Sequence, residues 1–203
     1  MSKSIQGKSV SVVVGPEKQI FMAHERVLLR SSSFFTKTLT GEREESDNCT
    51  VNLPEVEPDM FAVYLHWLYS GVIAVRTIDD DIEDLELAKA YVLGNALEDT
   101  SFQNEVIEAI IEKNAMSMLN RDDWCFSGLG VKYIYDNTDE SAKIRKLLVD
   151  LYVERCEGSW LQNSPHRHHL PSAFLVELSA RLMDRPPRCD QPGGLSASDY
   201  AEY

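Results

Sequence analysis

Cysteine is scarce in this chain, and the few residues there are stand apart. Cys49, Cys125, Cys156 and Cys189 include no Cys-x-x-Cys pair. That pattern suits reduced thiols in a cytosolic or nuclear protein and argues against a disulfide framework. Basic residues are outnumbered, with 20 lysines and arginines against 33 acids and a formal charge of −13. Duplex binding draws its affinity from Lys and Arg set against phosphate, so no nucleic-acid partner is expected, and anionic membranes are disfavoured. No apolar run is long enough to span a bilayer, and Met1 to Ile5 lacks the apolar core of a secretory signal. The protein is therefore expected to be intracellular, cytoplasmic or nuclear, with no membrane partner. Phosphate-cradling glycine loops are also missing: Gly128-Leu-Gly130 lacks a third glycine and the βαβ context. No cofactor is expected.

What is present is an ordinary globular composition, 43% hydrophobic and 26% charged over 203 residues. That length allows one domain or one and a half around a proper core. The acids cluster at Glu42, Glu44, Glu45 and Asp47, and again from Asp79 to Glu86. Such runs read as solvated loops or helix starts, with an acidic docking patch as the alternative. From Ser9 to Ile73 the periodicity changes several times. Val10, Val12 and Val14 alternate with serine up to a Gly15-Pro16 break, and Gln19 to Ala23 gives a second extended run, which together predict a hairpin. From His24 the residues Val27, Leu28, Phe34, Phe35 and Leu39 fall on one face of a single helix. Thr50 to Leu53 alternates again. Pro58 then opens a helix that Gly71 closes.

The run from Phe21 through His24, Leu28, Ser31, Phe34 and Phe35, followed by Val51-Asn-Leu-Pro54 and by Tyr64 to Gly71, resembles the BTB/POZ domain. The likeness covers roughly the first half of the chain and is closest in appearance to stand-alone fungal BTB proteins. It implies an α/β (α+β) fold, a small mixed sheet with a cluster of helices. It also implies that His24, Leu28, Ser31, Phe34, Phe35, Tyr69 and Gly71 are structural signature positions. Homo-oligomerisation and, in some members, docking to a cullin as a ubiquitin-ligase adaptor are the implied activities. Cullin-binding members carry a hydrophobic-x-acid triplet after the signature helix, which makes Ile78-Asp79-Asp80 and Ile82-Glu83-Asp84 the candidates for partner docking. Transcription-factor members place a strand and helix ahead of the first core strand and a basic residue after the signature histidine. About eight residues precede Ser9 here and Glu25 follows His24, so neither a swapped dimer nor corepressor capture is expected.

Beyond the signature, Val72 to Val75 reads as a fourth strand. Leu85, Ala88, Val92 and Leu93 share a helical face, and Thr100 with Gln103 fits a capping box before Phe102, Val106, Ile107, Ile110 and Ile111. The domain is expected to span 9–113 after a tail at 1–8. A helical extension follows at 114–185, with a disordered tail at 186–203. Within the extension, Val131 to Tyr135 reads as extended. Thr138 or Asp139 caps a helix bearing Ile144, Leu147, Leu148, Leu151 and Tyr152, and Pro171 opens a last helix carrying Phe174, Leu175, Leu178 and Leu182.

His24 has no nucleophile or carboxylate beside it in the sequence and reads as a packed, hydrogen-bonded histidine. Ser31, Ser32 and Ser33 lack the Gly-x-Ser-x-Gly setting of a nucleophile elbow and read as packing positions. His166, His168 and His169, with Cys156, are the one conceivable metal cluster. They sit in a Pro-bounded loop without ordered Cys/His spacing, so no metal is expected. The chain reads as a non-enzymatic protein-interaction module acting by self-association or partner docking, with the Val10 to Val14 strand a potential edge that invites another chain. The alternative is a cullin-type ubiquitin-ligase adaptor, whose substrate surface would have to lie in the helical extension.

Overall fold

In the computed structural model, residues 8–41, 49–75, 77, 79–120, 124–156, 167–184 and 196–202 are described. Two strands open the chain, β1 (Ser9–Val14) and β2 (Gln19–His24), followed by helices α1 (Glu25–Ser31) and α2 (Ser33–Gly41). Then come β3 (Thr50–Leu53), α3 (Pro58–Ser70), α4 (Asp80–Ala96) and α5 (Thr100–Asn120). Among the described residues, helices α6 (Gly128–Asn137), α7 (Lys143–Arg155) and α8 (Ser172–Met183) follow, with short 3-10 turns at Arg167–His169 and Ala197–Asp199. The chain divides into two units: residues 1–74 with 93–103, and residues 75–92 with 104–203.

In the first unit, β1 runs antiparallel to β2 and parallel to β3, giving a mixed sheet of order β2-β1-β3. Alternation sends Val10, Val12 and Val14 inward, where each is almost fully buried. Burying a valine contributes about 1.5–3 kcal/mol against leaving it in water. The sequence reading made β1 a potential edge. Its pairing on both sides makes it the centre instead, and among the described residues β2 and β3 are the edges. The hairpin turns at Gly15, whose φ of 73° favours glycine; a Cβ there would also stand 3.1 Å from Pro58. Behind the sheet lies an aromatic chain. Phe21 meets Phe61 at 5.1 Å between ring centroids, and Phe102 meets Tyr64 at 4.9 Å and Trp67 at 5.0 Å.

Three further expectations are corrected. The predicted single helix from Val27 to Leu39 breaks at Ser32, which is extended (φ −107°, ψ 125°) and starts α2 by accepting the Phe35 N–H on its Oγ. Val72 to Val75 form no strand. Helix α5 is capped by Asp99 and not by a Thr100–Gln103 box: Oδ1 of Asp99 accepts the Phe102 N–H at 3.0 Å.

The second unit is helical. Its buried side chains include Tyr91, Ile107, Ile110, Phe126, Ile134, Leu147 and Phe174. The expected extended run at Val131–Tyr135 is helix α6. Ser127 caps it by accepting the Gly130 N–H, and Val131, Ile134 and Tyr135 share its buried face. Thr138 does not cap α7. It takes the Nε of Arg145 at 3.1 Å, while the Arg145 guanidinium binds the Tyr135 carbonyl at 2.9 Å and lies over the Tyr135 ring. On α8, Phe174 and Leu178 are buried whereas Leu175 and Leu182 are exposed, so the inward stripe is narrower than the sequence reading made it. Phe174 stacks edge-on against Tyr152 of α7 at 4.8 Å, so the two late helices cover each other.

Cys125 and Cys156 form a disulfide, with Cα atoms 5.9 Å apart, which corrects the expectation of reduced thiols throughout; Cys49 is free. A separation of 31 residues carries no sequence signal, and closing such a loop lowers the unfolded chain's entropy by roughly 3–4 kcal/mol. Residues 196–202, expected to be disordered, are docked, with Tyr200 buried. No described helix is long and apolar enough to cross a membrane.

Gly130 sits where a side chain has no room. A Cβ there would stand 2.5 Å from a Phe126 ring carbon and 3.0 Å from the Asp84 carbonyl oxygen. Gly130→Ala is expected to lower the stability measured by chemical denaturation by about 1–3 kcal/mol, despite alanine's better helix propensity. A neutral or stabilising effect would contradict this packing.

Candidate interaction surface

The signature residues lie in the first unit, and two pairs of them, His24 with Tyr69 and Phe34 with Phe35, meet there. His24 ends β2, where its N–H donates to the Tyr69 hydroxyl at 3.0 Å and its Nδ1 lies 2.7 Å from the same oxygen. The Tyr69 hydroxyl thus holds both the backbone and the ring of His24. His24 is half-buried, less than the sequence reading expected, and its recorded ring partner is this phenol and not a carboxylate. Leu28 and Phe35 are fully buried, and Phe34 is half-buried against the Phe35 ring at 5.4 Å. Gly71 ends α3 at φ 75°, its N–H bonded to the Trp67 carbonyl at 2.7 Å.

Ser31 does more than pack. Its hydroxyl donates to Oδ2 of Asp99 at 2.5 Å, and the Tyr64 hydroxyl donates to the same oxygen at 2.8 Å. Burial first, and then the neighbouring Asp99 charge, push the Tyr64 hydroxyl far above the usual tyrosine range, so it remains a donor. Ser32 donates to the Leu97 carbonyl at 2.5 Å, and Lys37 pairs with Glu98. The α1–α2 junction thus grips residues 97–99. Sequence reasoning missed Asp99, although an aspartate directly before a helical run is a capping signal.

Of the docking candidates, Ile78 lies outside the described residues. Asp80 and Ile82, in the first turn of α4, are 70% and 49% exposed. Asp84 is buried and committed inward. Oδ1 accepts from Lys113 Nζ at 2.9 Å, and Oδ2 accepts from the Ser127 N–H at 2.8 Å. Burial pushes its carboxyl up to about 7, only partly offset by Lys113 and Ser127. Burial alone would lower Lys113, but Asp84, Asp80 and Glu83 around its ammonium raise it instead. Of the histidine cluster, His166 lies outside the described residues, and Cys156 is spent in the disulfide. No group of three or more metal-ligating side chains occurs among the described residues.

Apolar side chains that face outward complete the picture. On β2, Ile20 and Met22 are 66% and 59% exposed, two residues apart on the outer face of an edge strand. Their cross-strand partners on β1 are Val13 and Ser11.

Residues 4–104 match the BTB/POZ domain family. They are a BTB/POZ domain, with the small mixed sheet and helices described above. BTB/POZ domains are protein–protein interaction modules, and the family is non-enzymatic. The chain is similar to zinc finger and BTB domain-containing protein 44 of Xenopus tropicalis, 29% identical over 42% of this chain and 19% of that protein. It is also similar to BTB/POZ domain-containing protein 6-A of Danio rerio, 34% identical over 46% of this chain and 17% of that protein. The match therefore spans less than a fifth of either relative. Both are animal proteins, so they do not carry the likeness to fungal members that the sequence suggested.

A pH test follows from Asp84. A carboxyl raised on folding binds its proton more tightly in the folded state, so its stabilisation is full below the ordinary carboxylate range. It is lost as pH rises through about 7. The stability of the wild type relative to Asp84→Asn, read from denaturation midpoints, is expected to fall by roughly 1–3 kcal/mol between pH 5 and pH 8. A pH-independent difference would contradict the burial argument.

Proposed function

We propose that the chain works by self-association through its BTB/POZ domain, with the β2 edge and its outward Ile20 and Met22 forming the contact between copies. The observation that carries this reading is the exposed apolar pair on a strand that, among the described residues, has one unpaired side. An edge strand offers a ladder of N–H and C=O groups to a second chain, and apolar side chains beside it add area that leaves water. The signature polar residues are engaged internally, which leaves surface, not chemistry, as what the domain presents. A kinship with stand-alone fungal members belongs to the same reading.

A second reading, docking to a cullin, is supported by the exposure of Asp80 and Ile82 in the first turn of α4. Asp84 is a poor contributor to it, because its carboxylate already serves Lys113 and Ser127.

Sedimentation equilibrium tests the first reading. A concentration-dependent dimer is expected, with Ile20→Asp/Met22→Asp weakening it at least tenfold while the thermal melt stays cooperative. A strict monomer at high micromolar concentration would overturn it. Capture of a cullin that Ile82→Ala abolishes, without self-association, would favour the second.

A further inference from the structure

Residues 196–202 contact the helical unit much as a bound peptide would. Apart from the turn at Ala197–Asp199, the segment joins no strand or helix. Tyr200 is its anchor, 2% exposed, donating its hydroxyl to Oδ2 of Asp150 at 3.1 Å, with Lys146 Nζ 5.0 Å from its ring centroid. Two residues on, Glu202 is held by main chain and side chain together. Its N–H donates to Oδ1 of Asn104 at 2.6 Å, and its carbonyl accepts from Nδ2 of the same residue at 3.2 Å. Its carboxylate accepts from the Tyr91 hydroxyl and from the Lys143 N–H.

These contacts divide into two kinds of recognition. A carboxamide that bonds both ways to one residue reproduces a rung of a strand ladder, which holds any peptide backbone. Selectivity comes from the side-chain contacts on either side of it. The carboxylate end is built into the fold: α7 begins behind Ala142, which has no capping side chain. The first N–H groups of a helix need acceptors and its dipole favours an anion there, so Glu202 supplies what the helix lacks. Burial, and then the bond to Glu202, push the Tyr91 hydroxyl far above its ordinary range, keeping it a donor.

We infer that the surface formed by Tyr91, Asn104, Lys143, Lys146 and Asp150 is a peptide-binding site for a Tyr-x-Glu sequence, filled in this structure by the chain's own Tyr200-Ala201-Glu202. The site uses none of the residues of the β2 edge and stands apart from the self-association reading. The occupant is joined to α8 through residues 185–195, which include Pro186, Pro187, Pro192, Gly193 and Gly194. A ligand on so short a tether competes at an effective concentration on the order of millimolar. A partner polypeptide carrying the same spacing therefore binds weakly until the chain's own segment is displaced. The partner's tyrosine is unphosphorylated, because a phosphate would stand against the Asp150 carboxylate.

The test uses a labelled hexapeptide, Ser-Asp-Tyr-Ala-Glu-Tyr, copied from residues 198–203, titrated by fluorescence anisotropy into the full chain and its variants. Tyr200→Ala/Glu202→Ala, which vacates the site, is expected to bind the peptide at least tenfold more tightly than wild type. Asn104→Ala in that background loses at least tenfold, and the phosphotyrosine peptide does not compete. Glu202→Gln keeps the tyrosine anchor and is expected to gain severalfold over wild type, which preserves the test if the double variant does not fold. Equal peptide binding by wild type and folded variants, equal competition by the phosphotyrosine peptide, or loss of cooperative melting in both variants overturns the site and leaves the segment a structural strap.

Discussion

The Asp99 carboxylate holds together three helices that the sequence places far apart. One oxygen takes the hydroxyls of Ser31 on α1 and Tyr64 on α3, and the other takes the Phe102 N–H at the start of α5. A fully buried carboxylate is costly unless it is hydrogen-bonded, and here three donors reach it. The geometry is therefore tightly specified, because moving any one helix leaves a buried charge short of a partner. The break at Ser32 belongs to the same arrangement, since a continuous helix would carry its hydroxyl away from the Leu97 carbonyl.

This constraint shapes what the domain can offer. His24 is held by Tyr69, Ser31 by Asp99, and Ser32 by Leu97 and Phe35. The polar groups that mark the family are thus spent in positioning helices around the sheet. What faces outward from that unit includes backbone edge and apolar side chains, which suits an interaction module. In the helical unit the same economy applies to Arg145, whose charge is absorbed by carbonyls and the Tyr135 ring.

The strands, the turn at Gly15, the Pro58 start and the Gly71 stop of α3 were legible because each rests on a local signal of alternation, a fixed φ or a positive φ. Long-range partners of the signature residues carry no local signal. Ser31 read as a packing position because its acceptor lies 68 residues away. The same limit applies to Cys125 with Cys156 and to Asp84 with Lys113, pairs that only tertiary packing brings together. Val131–Tyr135 misled because β-branched and aromatic residues favour strands in isolation, whereas the Ser127 cap and the buried face of Val131, Ile134 and Tyr135 hold them as helix. The 196–202 segment misled for a related reason: docking through single side chains leaves no periodicity to read.

A double-mutant cycle between Ser31→Ala and Asp99→Ala, read by chemical denaturation, tests the Asp99 arrangement most directly. Asp99→Ala is predicted to cost roughly 3–5 kcal/mol, and Ser31→Ala about 1–2 kcal/mol in the wild type but under about 0.5 kcal/mol once Asp99 is gone. Additive costs, with Ser31→Ala equally damaging in both backgrounds, would contradict it.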